Sequence, residues 1–190
     1  MCKSSLANHF LLALPSQNNT YFEDTLTYMV RHGDDGSMGF VVNRPLPLKL
    51  AEIMKEAKLD PTRGKQVSIL EGGPVNPSHP SILHSDDFET DSSLHVSDGV
   101  ALITDSSGEG IYNTMRAIAE GNGPEHFLFV LGYAGWGPKQ LDNELGENAW
   151  VICPADHRTL FDEPFESRIA KVTSAIGIDF SKFSPQSGSA

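Results

Sequence analysis

Cysteine is nearly missing from these 190 residues: Cys2 and Cys153 are the only two. Two thiols cannot build a disulfide framework, and no C-x-x-C pair points to zinc or dithiol redox chemistry. Cys153, beside Pro154, reads as a small buried hydrophobe. Basic charge is also scarce, with 14 Lys and Arg against 25 Asp and Glu and a formal net charge of −11. No run of adjacent Lys or Arg exists, so the chain lacks the phosphate-neutralising patch that nucleic acids or anionic membranes require. Long apolar runs are absent too. Phe10 to Leu14 is far too short to cross a bilayer, and no basic start leads into an apolar stretch. These absences, with a sequence pI near 4.9, predict a soluble cytoplasmic protein. No internal repeat, low-complexity tract or Pro/Ser/Gly linker divides the chain. One domain over residues 1–190 is expected, with a small, polar, frayed end from about Ser184.

The motifs that announce chemistry are missing as well. The seven histidines, His9, His32, His79, His84, His95, His126 and His157, form no H-x-H, H-x-x-x-H or H-E-x-x-H pattern. No G-x-S-x-G elbow marks a nucleophile, and no Walker lysine pattern is present. The acidic run Asp86, Asp87, Glu89 and Asp91 lacks calcium-loop spacing and reads as a solvated loop. No catalytic residue, metal site or cofactor is therefore assigned. His84 remains of interest because it ends a short strand just before that acidic loop.

What is present is organised around Phe127 to Leu145. Phe127 to Leu131 is continuously apolar, as a buried strand would be. Gly132, Gly135 and Gly137 follow with Tyr133 and Trp136 between them, which reads as a tight glycine turn. Pro138 fits the first position of a helix on which Leu141 and Leu145 share a face. Upstream, Thr25 to Val42 reads as a β-hairpin around Gly33-Asp34-Asp35-Gly36. Leu50, Ile53, Met54 and Ala57 have helical spacing. Strands are predicted at Val67–Leu70, Ser81–His84, Leu94–Val96 and Gly99–Thr104. Ser106 and Glu109 have capping-box spacing ahead of a helix that ends at Gly121. A last strand (Ala149–Cys153) precedes helices at Asp156–Phe161 and Arg168–Ile176. Hairpins lead and helices collect later, which predicts an α+β fold.

Three segments carry candidate recognition residues. Gly132, Tyr133, Gly135, Trp136 and Gly137 would form an anion-binding turn at a helix N-terminus, or a place where backbones pack closely. Their G-x-x-G-x-G order is not the dinucleotide fingerprint. Asn43 and Arg44, before Pro45, offer a guanidinium for a carboxylate or phosphate, or else an internal bridge with Asn43 capping the turn. Gly72, Gly73 and Pro74 permit close approach of a ligand or of another strand.

Several blocks together resemble the AlgH/YqgE family of bacterial proteins. They are HFLLALP (His9 to Pro15), MGFVVNRP (Met38 to Pro45), EGGPV (Glu71 to Val75), LGYAGWGPKQLDNEL (Leu131 to Leu145) and NAWVICPAD (Asn148 to Asp156), with the later Ile176 to Asp179. The chain departs from the family where Asn8 replaces the glycine before His9, and where it ends Gly188-Ser189-Ala190 rather than Gly-His-Ala. The resemblance implies a single α+β domain whose bifurcated, mostly antiparallel sheet folds into a pseudo-barrel with helices packed outside. It implies no settled activity, only a transcriptional-regulator label. The leading expectation is a non-catalytic binding or regulatory protein acting through a small ligand or protein partner. The alternative is a small hydrolase using His84 or His9 with a carboxylate near the glycine turns. No helix-turn-helix signal supports direct DNA binding.

Overall fold

The computed structural model describes residues 5–17 and 20–177. Cys2 and the segment from Ser184, including Gly188-Ser189-Ala190, lie outside them. The α+β fold is as expected. Among the described residues ten strands form one curled sheet and five α-helices cover it. The strands are β1 (His9–Ala13), β2 (Leu26–Gly33), β3 (Gly36–Val41), β4 (Pro45–Lys49), β5 (Ser68–Glu71), β6 (Val75–His84), β7 (Ser93–Ser97), β8 (Val100–Ile103), β9 (Phe127–Trp136) and β10 (Trp150–Pro154). The helices are α1 (Leu50–Glu56), α2 (Glu109–Glu120), α3 (Gln140–Gly146), α4 (His157–Phe161) and α5 (Arg168–Ala175). The main path runs β10-β1-β2-β3-β9-β6-β8-β7, with β5 flanking β9 and β4 paired to β5. Only β5 and β9 run parallel; the other pairs are antiparallel.

Strand side chains alternate between two faces, and here both faces are covered. Phe10, Leu12, Leu70, Leu83, Leu128 and Val130 join one cluster, closed by Leu160 of α4 and Val172 of α5. Their neighbours Ile69, Ile82 and Phe129 point the other way, onto Leu50 and Met54 of α1 and Ile111, Met115 and Ile118 of α2. Leu11 and Ala13 face a third cluster with Trp136, Trp150 and Leu141 of α3. Strands buried on both sides read as continuous apolar runs, which is why Phe127 to Leu131 shows no polar alternation.

Three local expectations are corrected. The supposed glycine turn is strand: β9 continues through Trp136. Helix α3 begins at Gln140, after Lys139 in a left-handed conformation at φ 62°. Pro138 thus belongs to the turn and not to the first helical position. The capping box of Ser106 and Glu109 does not form. Gly108, left-handed at φ 74°, precedes α2, and Asp105 accepts the Gly110 N–H through Oδ2 at 3.2 Å.

Candidate functional site

The glycines meet where one backbone crosses another. β5 lies on one side of β9 and β6 on the other, so the Gly72-Gly73-Pro74 link must pass over β9. It does so at Gly132. A Cβ on Gly72 would lie 2.4 Å from the Gly132 carbonyl oxygen, and one on Gly73 would lie 2.0 Å from the Tyr133 carbonyl carbon. Gly132 itself adopts φ 72°, and a Cβ there would meet the Gly73 oxygen at 2.4 Å. No side chain fits these positions. Glycine is required by the crossing, so the close-packing interpretation accounts for Gly72, Gly73 and Gly132.

Beyond the crossing, β6 separates from β9. Val75 faces Tyr133, but the next paired residues are Pro80 and Leu131. The intervening residues Asn76, Pro77, Ser78 and His79 bow out, with Asn76 left-handed at φ 47°. Pro77 and Pro80 lack the N–H that a regular ladder needs. The bow opens a cleft of about 560 Å³, within the roughly 300–1,000 Å³ range of small-ligand sites. Val75, Asn76, His79 and Thr104 form one wall; Tyr133, Gly135 and Trp136 of β9 form the floor; Arg31, Asp35, Gly36, Ser37 and Met38 complete the other side. His79 Nε2 lies 3.1 Å from Thr104 Oγ1, which accepts from Ser81 Oγ at 2.9 Å. Arg31 and Asp35 pair at the exposed rim, so this part of the lining carries both polar character and balanced charge.

Trp136 contributes an edge to the cleft but is otherwise committed to the interior. Its Nε1 donates to Glu144 Oε2 at 2.9 Å, and Trp150 Nε1 donates to the same oxygen at 2.8 Å. Gln140 Nε2 binds Oε1 at 2.9 Å and Gln140 Oε1 accepts the Gly137 N–H at 3.0 Å. Gly137 is thus used in joining β9 to α3.

The remaining sequence candidates do not face the cleft. Asn43 caps the loop before β2: Oδ1 accepts the Leu26 N–H and Nδ2 donates to the Asp24 oxygen, both at 2.9 Å. Arg44 donates to the carbonyls of Tyr21 at 2.6 Å and Glu23 at 2.5 Å and lies over the Tyr21 ring. Burial and the neighbouring Glu71 push the Tyr21 hydroxyl up to about 12. The internal bridge is the arrangement found for both residues. Pro74 is spent in the crossing link. His84 is fully buried; its Nδ1 contacts the Ser85 oxygen at 2.8 Å, and burial holds its pKa below the ordinary imidazole value. His9 turns Nδ1 toward the Ala7 oxygen at 3.0 Å. Of the predicted residues, Tyr133, Gly135 and Trp136 line the cleft, and Gly73 and Gly132 shape its end. The sequence reading missed Asn76, His79 and Thr104. The signal available was the N-P-S-H-P stretch, in which two prolines bracket a strand break.

No helix among the described residues is long and apolar enough to cross a membrane. A family model described as AlgH-like matches residues 10–181. A UPF0301 protein of Pseudomonas paraeruginosa strain PA7 is 40% identical over 188 residues, covering 97% of this chain and 96% of the relative. The UPF0301 protein AlgH of Pseudomonas aeruginosa strain PAO1 is 39% identical with the same coverage. The solution structure of the P. aeruginosa AlgH protein superposes with a TM-score of 0.79 at 38% identity, over 100% of this chain and 98% of that one. A crystal structure of a Corynebacterium diphtheriae protein shares the fold alone, with a TM-score of 0.62 at 16% identity over 80% of this chain and 76% of that one. Matched along nearly its whole length in sequence and in fold, the chain belongs to the AlgH-like family.

Proposed function

We propose that the chain is a non-catalytic binding or regulatory protein of the cytoplasm, and that the cleft between β3, β6 and β9 is its recognition site. The observation that carries this reading is the bow in β6. Three glycines are committed to the crossing and two prolines to the bow beyond it, and the product is a concave surface lined by Tyr133, His79, Thr104 and Asn76. A small ligand or a protein partner fits such a surface. A net charge of −11 argues against direct contact with DNA, so regulation of transcription, the role that the family resemblance labels, would act through a partner. The hydrolase alternative placed His84 or His9 beside the glycine turns. His84 is buried in the core and neither ring lines the cleft, which supports the binding reading over that one.

Nuclear magnetic resonance with a small-fragment collection tests the proposal. Bound fragments are expected to move the amide signals of Tyr133, Gly135 and Trp136 together. Fragments that gather elsewhere would remove the cleft from consideration. Ester or amide turnover abolished by His79→Ala in a folded protein would replace binding with catalysis.

A further inference from the structure

The cleft floor contains a gap in the hydrogen-bond ladder. On one side, β3 accompanies β9 as far as the Ser37–Trp136 pair. On the other, β6 accompanies it only to the Val75–Tyr133 pair, because the chain before Val75 leaves to cross over. Successive residues of an antiparallel strand direct their N–H and C=O to alternate neighbours. Val41 donates to the Gly72 oxygen at 2.8 Å and Val42 to the Leu26 oxygen at 2.9 Å, which sets the phase of β3. By that alternation Gly39 and Ser37 face β9, bonding with Ala134 and Trp136. The intervening residue of β9, Gly135, then turns both N–H and C=O away from β3 and into the cleft. No strand among the described residues pairs with Gly135 there. Gly135 is exposed and has no side chain to obstruct an approaching backbone.

We propose that the cleft receives an extended peptide segment of a partner protein, which pairs its main chain with Gly135. The inference rests on the cleft being the recognition site and names what occupies it. A peptide unit supplies an N–H and a C=O on one edge, the complement of the pair that Gly135 presents, and strand addition is an established way to recognise such an edge. Tyr133 and Met38 offer apolar contact beside it for alternate side chains of the segment.

A positional library of acetylated, amidated pentapeptides, each position varied over all residues, tests this against the isotope-labelled full chain. The best binders are expected to shift the Gly135 amide and to lose at least tenfold in affinity when the central peptide nitrogen or its neighbour is methylated. Binders that leave Gly135 unmoved, or that tolerate methylation at every position, would overturn the proposal. If no pentapeptide binds while fragments still gather at Tyr133 and Gly135, strand pairing fails and the cleft stands. If neither class reaches the cleft, both readings fall.

Discussion

Glu144 joins two tryptophans that lie far apart in the chain, and removing it gives a measurable test of the packing. The indoles of Trp136 and Trp150, 5% and 4% exposed, both donate to one of its oxygens. Glu144→Ala leaves both N–H groups without an acceptor in a site closed by Phe22, whose ring contacts each tryptophan. A buried donor stranded in this way costs about 1–3 kcal/mol, so the pair predicts a loss of about 2–6 kcal/mol. Glu144→Gln keeps a carbonyl oxygen for the two indoles but loses the charge assistance and the acceptor for Gln140 Nε2, an expected loss of about 1–2 kcal/mol. In a chain of this size each kcal/mol moves the melting temperature by roughly 2–4 °C, so Glu144→Ala is expected to melt about 4–24 °C lower. Urea unfolding followed by intrinsic fluorescence is the direct assay, since the chain has only these 2 tryptophans. Glu147→Ala, at an exposed carboxylate just after α3, serves as the control. If Glu144→Ala unfolds within about 0.5 kcal/mol of the parent, the usual scatter for surface changes, the bridging role is wrong.

Gly73→Ala is expected to prevent folding, because its Cβ would sit 2.0 Å from the Tyr133 carbonyl carbon. Gly135→Ala, whose nearest neighbour is a Tyr133 ring carbon at 3.2 Å, should fold; two-dimensional spectra separate the outcomes, and a well-folded Gly73→Ala would contradict the crossing. Burial lowers the pKa of His84 from the ordinary 6.5, so the unfolded chain binds its proton first as pH falls. Its contribution is therefore complete above about pH 6.5 and declines below it; His84→Gln should flatten urea midpoints measured between pH 7.5 and 5, and an unchanged slope would count against the assignment. Burial pushes the Cys153 thiol to about 11, so in a Cys2→Ser background a thiol reagent at pH 8 should react only on unfolding, and rapid native labelling would refute this. Arg44→Ala removes two hydrogen bonds to the Tyr21 and Glu23 carbonyls and should cost about 1–3 kcal/mol while leaving fragment shifts at Gly135 unchanged; lost shifts would return Arg44 to the binding surface.

The elements readable from the sequence are those whose signals are local. The β2–β3 hairpin followed from its glycine-aspartate turn, and α2 from its apolar spacing and terminal glycine. Gly121 adopts φ 82° at that end. Strand β4 was missed because Pro-Leu-Pro-Leu-Lys carries proline at alternate positions, a pattern confined to edges, where a proline has no ladder bond to lose. The glycines after Leu131 were legible as unusual but assigned to the wrong geometry. Their cause lies some 60 positions upstream, in Gly72 and Gly73, and no periodicity within a window can report a crossing between distant segments. Arg44 attracted attention as a charge at a strand end, yet its partners are main-chain oxygens of a loop, which side-chain chemistry does not reveal. The cleft residues Asn76 and His79 depended on the same nonlocal event.

The order in which the sheet can be completed follows from where its central strand is written. β5 and β6 are synthesised well before β9, yet β9 lies between them with the Gly72-Gly73 link spanning it. A nascent chain that has emerged only through α2 holds two flanks with no middle, and their apolar faces have nothing to close against. Completion must wait for residues near 136 to leave the ribosome and slot beneath a loop already made. A truncated product ending before Phe127 would accordingly depend on chaperones rather than fold by itself.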